Sequence, residues 1–492
     1  MKTIVIMMDS LNRHMLDIYN KESWVRTPNI NRLAEKSMIF DNHWIGSAPC
    51  MPARRDMFTG RLTFLERTWG GIEPFDVTLT EVLRNNKVFT HMVTDHYHYL
   101  EIGGEGYCQI FNTWDMHRGQ ESDPLVSMVD APELPKEYYG QVRPQYELNR
   151  QRFMCEEDFT GPKTFKSACD WIEDNGQSDD WFLWVEAFDP HEPFDCPKEF
   201  LELYNDDYKG PRFDWSTYKA VTEPSDAIEH LRKRYAALLT MTDKWLGKLL
   251  DKMDEYSLWD DTLVIFTTDH GHFLGEHGFT GKNFMHAYNE LANIPLLVHL
   301  PGSVRAGERI GALTQNIDIM PTVLDYFGFE EPAELHGKSW KGLIDRTTDS
   351  LRESVLYGYF GSTINITDGQ YAYFRSPKPD NQPLYMYTAM PTAFRKYIGR
   401  EVADRIEMGR FLKHTNYPVY KIPQENTGKP EGSALKPLNP YLKDSLMFDI
   451  KEDYAQQNPI TDAGTEKDLQ NKLREKLCEV KAPEEHVVRL GL

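Results

Sequence analysis

Five short, almost uninterrupted apolar runs stand out along the chain: residues 3–9 (TIVIMMD), 89–95 (FTHMVTD), 181–189 (WFLWVEAFD), 262–269 (TLVIFTTD) and 294–302 (IPLLVHLPG). They lack the alternation of a half-exposed strand and predict strands buried on both faces. Between them the apolar spacing changes to a helical period. The longest such stretch starts near Ser225 or Asp226 and lines up Ile228, Leu231, Tyr235, Leu238, Trp245 and Leu249 on one stripe. Shorter helices are expected over 29–37, 78–85 and 318–326. Strand-like and helical segments in alternation predict an α/β fold, with a large, mostly parallel sheet flanked by helices. Beyond about residue 345 the pattern dissolves. Residues 376–440 are rich in Pro, Tyr, Asn and Lys, followed by an apolar run at 445–450 and a polar helix near 465–478. This predicts two parts, a catalytic domain over 1–345 and a smaller α+β C-terminal subdomain over 346–492 that closes the pocket. Residues 112–150 read as an inserted loop region, of the kind that forms lids or binding loops.

Four of the predicted strands run into polar clusters. The first ends in Asp9 and Ser10, the second in Asp95, His96 and His98, the third in Asp189 and His191, and the fourth in Asp269 and His270. Ligands of open α/β sheets bind beyond the carboxyl ends of the strands, so these groups are expected to converge on one edge. A single Asp at a strand end is ordinarily a turn former or a helix cap. Four such ends together point instead to chemistry, and carboxylates meeting imidazoles suit a divalent metal ion.

Composition narrows the field. The chain is 40% hydrophobic and 27% charged, ordinary for a globular protein, and no apolar run is long enough to span a membrane. Its net charge of −21, from 55 basic and 76 acidic residues, argues against nucleic acid or an anionic membrane as the main partner. The opening MKTIVIMMDSLNRHM reads as a strand rather than a secretory leader, so a cytoplasmic location is expected. The cysteines at 50, 108, 155, 169, 196 and 478 show no CxxC spacing, and neither a structural zinc site nor a disulfide framework is implied.

Cys50 lies between Pro49 and Pro52, just ahead of a predicted helix and beside Arg54. A nucleophile at a helix N-terminus next to a guanidinium is well placed to attack an anionic ester; the alternative is a buried, inert thiol. Cys50-Met51-Pro52-Ala53-Arg54 fits Cys-x-Pro-x-Arg, the modification signature of the type I formylglycine-dependent sulfatases of the alkaline phosphatase superfamily. The resemblance extends to Asp9, to Thr27-Pro28-Asn29-Ile30, to Thr59-Gly60 and to His191-Glu192-Pro193. It also includes Asp269-His270-Gly271, Gly275-Glu276-His277-Gly278, Lys282, and the segments at 316–328 and 446–459. It implies an alkaline phosphatase-like fold and hydrolysis of a sulfate monoester by the diol of a formylglycine made from Cys50. By the same resemblance, Asp9, Cys50, Asp269 and His270 hold one divalent metal ion, Ca²⁺ or Mn²⁺. Arg54 holds the formylglycine, His98 joins the catalytic set, and His191 and Lys282 bind the sulfate and protonate the leaving group. A formylglycine-generating maturation enzyme is the implied partner, alongside a small sulfated or phosphorylated substrate. A homo-oligomer is compatible with the sequence.

Three departures from the family pattern stand out. Ser10 replaces a second Asp and is left out of the metal set. The pair Asp269-His270 replaces Asp-Asn, as in phosphonate monoester hydrolases and choline sulfatases. Asp95-His96-Tyr97-His98 replaces Gly-Lys-x-His, so His96 takes the place of a substrate-binding lysine. The alternatives are a phosphodiester or phosphonate monoester hydrolase using the same site, a non-catalytic anion-binding relative and, last, a two-metal phosphatase. His272 and His277, in a glycine-rich loop, are read as surrounding rather than ligating groups. Aromatic residues at 97–112 and Tyr385, Tyr387, Phe394 and Tyr397 are candidate pocket walls.

Overall fold

The computed structural model describes all of the 492-residue chain except residues 131, 394 and 425–439. Eight strands form the main sheet: β1 (Lys2–Met8), β2 (Met38–Phe40), β3 (Phe89–Thr94), β4 (Thr113–Met116), β5 (Trp181–Ala187), β6 (Thr262–Thr267), β7 (Leu296–His299) and β8 (Arg309–Ile310). Their order is β8-β2-β7-β6-β1-β5-β3-β4. Within it β6, β1, β5, β3 and β4 run parallel, while β7 is antiparallel to both of its neighbours. All five expected strands are present. Those missing from the expectation, β2, β4 and β8, are outer strands too short or too polar to leave a period.

Side chains of β1 alternate between two cores. Ile4, Ile6 and Met8 pack with Leu183, Val185 and the long helix Ser225–Glu255, whereas Val5 and Met7 pack with Trp184, Leu263, Phe58 and Val323. The expected stripe from Ile228 to Leu249 is buried throughout. That long helix also caps another. Asp243 accepts from Asn29 N at 3.0 Å and Ile30 N at 2.7 Å, satisfying the free N–H groups that open the helix Pro28–Glu35.

A second, five-stranded sheet runs in the order Leu446–Asp449, Tyr371–Arg375, Ile364–Thr367, Val355–Tyr359, Ser47–Ala48. Helix Ala463–Glu479 covers it with Leu469, Leu473 and Leu477. Its last strand is the segment just before Cys50, with Ser47 opposite Gly358 and Ala48 opposite Tyr359. Residues 112–150 contribute β4 and a short helix, Pro144–Asn149, within otherwise irregular backbone. No helix among the described residues is long and apolar enough to cross a membrane.

Candidate active site

The four strands with polar ends are adjacent in the sheet, as β6-β1-β5-β3. Their C-terminal ends therefore open side by side, which is why groups 259 positions apart in sequence meet, such as Ser10 N and Asp269 Oδ1. Opposite them stands helix Cys50–Thr59, closed at its C-terminus by Gly60 at φ 64°, a left-handed conformation that suits glycine. Asp56 of this helix accepts from Ser47 N (2.6 Å), Ser47 Oγ (2.9 Å) and Thr63 N (2.8 Å). It ties the turn before Cys50 to the loop after the helix. Cys50 is the first helical residue and is buried.

Asp9, Cys50, Asp269 and His270 each offer a ligand atom, and these atoms lie within 4.8 Å of one another in a fully buried cluster. Cys50 Sγ is 3.3 Å from His270 Nε2 and 4.0 Å from Asp9 Oδ1. Arg54 closes the cluster from behind. It donates to Asp9 Oδ2 at 2.8 Å, Asp269 Oδ2 at 2.6 Å, Glu186 Oε1 at 2.9 Å and the Cys50 carbonyl at 3.0 Å. Lys282 donates to Ser10 Oγ at 2.9 Å and to Cys50 Sγ at 3.4 Å. Two carboxylates, an imidazole and residue 50 thus line one buried pocket, a mixed oxygen and nitrogen donor set that fits a divalent ion. The four residues expected to hold a metal are the four brought together. Ser10 instead links Asp9, to which it donates at 2.7 Å, with Lys282, and its backbone takes a left-handed φ of 61°.

Burial raises the Asp9 carboxyl, yet Arg54 and Lys282 outweigh it and hold the group below the usual carboxylate range. Burial also acts on Cys50, and with Asp9 beside it the thiol is pushed well above its ordinary value. A bare thiol here is thus the opposite of an activated one. Burial would lower Lys282, but the sulfur of Cys50 and the carboxylates of Glu192 and Asp9 keep it charged.

The remaining expected residues separate into two groups. His96 is fully buried, with Nδ1 3.9 Å from Asp9 Oδ2 and neither ring nitrogen hydrogen-bonded; burial holds it well below its ordinary value. Among the described residues neither nitrogen has a partner, and Nδ1 is the one that lies toward Asp9. His98 packs against it at 5.0 Å between ring centroids, but its imidazole is engaged by Glu101 Oε2 at 2.7 Å and by Arg395 at 3.0 Å. His191 donates from Nδ1 to the carbonyl of Glu192 at 2.6 Å, which leaves Nε2 unengaged among the described residues. His272 is buried with both nitrogens unbonded, 3.5 Å from Glu192 Oε2, and His277 stacks on Tyr288 and bonds Glu290.

Residues absent from the sequence reading complete the setting. Glu186, which anchors Arg54, also accepts from Tyr99 and Trp184. Its signal was a lone charge inside the apolar run WFLWVEA. Glu121, from the 112–150 insertion, and Arg395 carried no pattern at all. Of the candidate aromatic walls, Tyr97 donates to Glu121 Oε2 at 3.1 Å. Tyr387 is spent on Glu485, Lys421 lies over Tyr385, Tyr397 is 66% exposed, and Phe394 lies outside the described residues.

This arrangement agrees with what the chain is similar to. The multifunctional alkaline phosphatase superfamily protein PehA of Trinickia caryophylli is 27% identical over 389 residues, 66% of this chain and 73% of that protein. An arylsulfatase of Clostridium perfringens is 22% identical over 391 residues, covering 72% of this chain and 80% of its own. Among solved structures, a phosphonate monoester hydrolase of Agrobacterium radiobacter superposes with a TM-score of 0.68 at 17% identity, covering 98% of this chain and 95% of that one. A structure solved with its substrate D-glucosamine-2-N,6-O-disulfate superposes at 0.66, again at 17% identity, over 98% and 99% of the two chains. The family description Sulfatase matches residues 2–329, a span that holds Cys50, the metal-type cluster and Lys282, and the chain belongs to the sulfatase family.

Proposed function

We propose that the protein hydrolyses a small sulfate monoester, using a formylglycine formed from Cys50 and one divalent ion, Ca²⁺ or Mn²⁺, held by Asp9, Asp269, His270 and the modified residue 50. The observation that carries this reading is the meeting of Cys50, at the first turn of its helix, with that ligand set and with Lys282 at 3.4 Å. The hydrated aldehyde supplies two hydroxyls, one to displace the alcohol from sulfur and one whose deprotonation lets sulfate leave as the aldehyde re-forms. When bound, the ion lowers the diol's pKa and offsets charge on the sulfuryl oxygens.

The protein's own groups do the rest. Arg54 spans Asp9, Asp269 and the Cys50 carbonyl, so it fixes the ligand carboxylates relative to residue 50. Lys282, kept charged, and His96, with free ring nitrogens, face the sulfate oxygens. His191 presents Nε2 to the leaving oxygen.

Hydrolysis of phosphodiesters or phosphonate monoesters is the second reading, supported by the imidazole ligand His270 and by the phosphonate monoester hydrolase likeness. Co-expression with a maturation enzyme followed by intact mass should show a loss of about 18 Da at Cys50, the mass change of thiol to aldehyde. Turnover of an aryl sulfate should exceed that of the matching aryl phosphodiester. Cys50→Ala should lower it by at least about 10³-fold, as loss of a nucleophile does. Faster phosphodiester turnover would replace the sulfate reading with the second one.

A further inference from the structure

Three oxygens crowd one edge of the His191 imidazole. Besides the Glu192 carbonyl at 2.6 Å, Glu192 Oε2 lies 3.4 Å and Glu121 Oε1 3.6 Å from the same Nδ1. Glu192 is fully buried. Its Oε1 accepts from Tyr218, while Oε2 has no hydrogen-bond partner among the described residues and sits between the Nδ1 atoms of His191 and His272. Glu121 reaches the site from the 112–150 insertion with its backbone at φ 42°, a conformation that is strained for a side chain of this size. Tyr97 at 3.1 Å and Arg143 at 2.9 Å hold its carboxylate there. A buried, underbonded carboxylate and a strained one thus lie beside the nitrogen whose N–H donates to the Glu192 carbonyl, where their negative charge favours the doubly protonated ring.

We propose that Glu192 and Glu121 are positioning residues that hold His191 as the proton donor to the leaving group, so that the site is built for esters of aliphatic alcohols rather than of acidic phenols. The proposal rests on the sulfate-ester reading above. As the nucleophile's oxygen bonds to sulfur, the bond from sulfur to the alcohol oxygen breaks. The electron pair goes to that oxygen, which takes the Nε2 proton of the His191 imidazolium while the Nδ1 proton stays in its bond to the Glu192 carbonyl; the neutral imidazole left behind regains a proton from water after the alcohol departs. An aliphatic alkoxide is too basic to leave without that proton, whereas a nitrophenolate needs little help.

Burial outweighs Glu192 and holds the His191 imidazole well below its ordinary value, so its charged form depends on the carboxylates beside it and on the bound anionic ester. Burial, Lys282 and His272 disfavour its charged form, as do His96 and His98 on the neighbouring turn, while Phe188 packs its ring at 4.1 Å. The two glutamates are the nearby carboxylates, and burial pushes Glu121 up despite Arg143 and Arg395. Burial raises Glu192, but His191 and Lys282 more than offset it, so Glu192 stays ionised.

The experiment compares kcat/KM of the matured, metal-loaded enzyme, Glu192→Gln and Glu121→Gln on sulfate esters from 4-nitrophenol through phenol to a simple alkyl alcohol. Expected are losses of about 10–100-fold on the alkyl ester and under about 3-fold on the nitrophenyl ester, less than the roughly 10²–10⁴-fold of general-acid assistance because the acid itself is kept. The basic limb of the pH profile should move to lower pH, because losing an anion lowers the imidazole's pKa. Equal losses on all esters, or none, would overturn the proposal. Glu121→Gln carries the test if Glu192→Gln does not fold. A failure of the sulfate reading shows separately, in the wild type turning over phosphonate esters faster. The same leaving-group series on phosphonate esters then tests the two glutamates, with the same pair of outcomes.

Discussion

Arg54 is one guanidinium among three buried carboxylates, Asp9, Asp269 and Glu186, and all four side chains are shut off from solvent. A single well-bonded charge at the centre of such a group stabilises it, and its removal leaves uncompensated charge in a medium that solvates it poorly. Arg54→Ala should therefore destabilise the protein by about 3–5 kcal/mol, the cost of stranding a buried ion. Urea unfolding checks this. Unchanged stability would mean that water fills the space and solvates the carboxylates. Arg54→Lys cannot reproduce the fork, because an ammonium is a point charge and Arg54 bonds four acceptors in one plane-directed fan.

Among the elements, helix Pro28–Glu35 is held by a cap from elsewhere in the chain. Thr27, at its N-cap, makes no side-chain cap bond, and Asp243 of the long helix takes that role. Burial pushes the Asp243 carboxyl up to about 6, although the N–H groups of Asn29 and Ile30 favour its charged form. An unfolded aspartate titrates near 3.9, so between the two values folding takes up a proton. Its contribution to stability is fully present below the unfolded value and is lost as pH rises through about 6, by about 1.4 kcal/mol per pH unit between the two. The stability of wild type minus that of Asp243→Asn should shrink from pH 4.5 to 7.5 in urea unfolding. A gap that widens would show the capping bonds outweighing burial.

At the scale of the whole molecule, the chain segment that leads into the signature helix pairs with the C-terminal sheet and not with the main one. Ser47–Ala48 forms the edge of the C-terminal sheet, and Gly358 donates from its N to the Gly46 carbonyl at 3.0 Å. The buried side chains of Leu62, Phe64 and Leu65 belong to the same cluster as Leu356, Ile364 and Leu473. A chain ending at residue 345 would leave that cluster open to water and the segment before Cys50 unpaired. It should fail to accumulate as a soluble, cooperatively folding protein, as judged by yield and a thermal melt. A stable fragment of that length would show that the second sheet is dispensable to the first.

The central strands and the long helix were legible because their signal is local. Burial on both faces leaves an unbroken apolar run, and one buried stripe leaves a 3.6-residue period, whatever the rest of the chain does. The polar ends of β1, β3, β5 and β6 were legible for the same reason, and a parallel sheet must bring such ends to one edge. Cys50, Arg54 and Lys282 came from a motif, so their resemblance was visible while their contacts were not. Glu121, Glu192 and Arg395 approach the site through loops and a distant segment, where no period constrains the residue type. Charge alone does not say what it faces. That His96 keeps two open nitrogens while His98 is engaged by Glu101 and Arg395 follows from packing across sequence separations as large as 297 positions. Periodicity carries the layers of this protein. The order of its strands, and with it the identity of each site residue's neighbours, comes from long-range pairing that buries the most apolar surface and leaves the fewest charges without a partner.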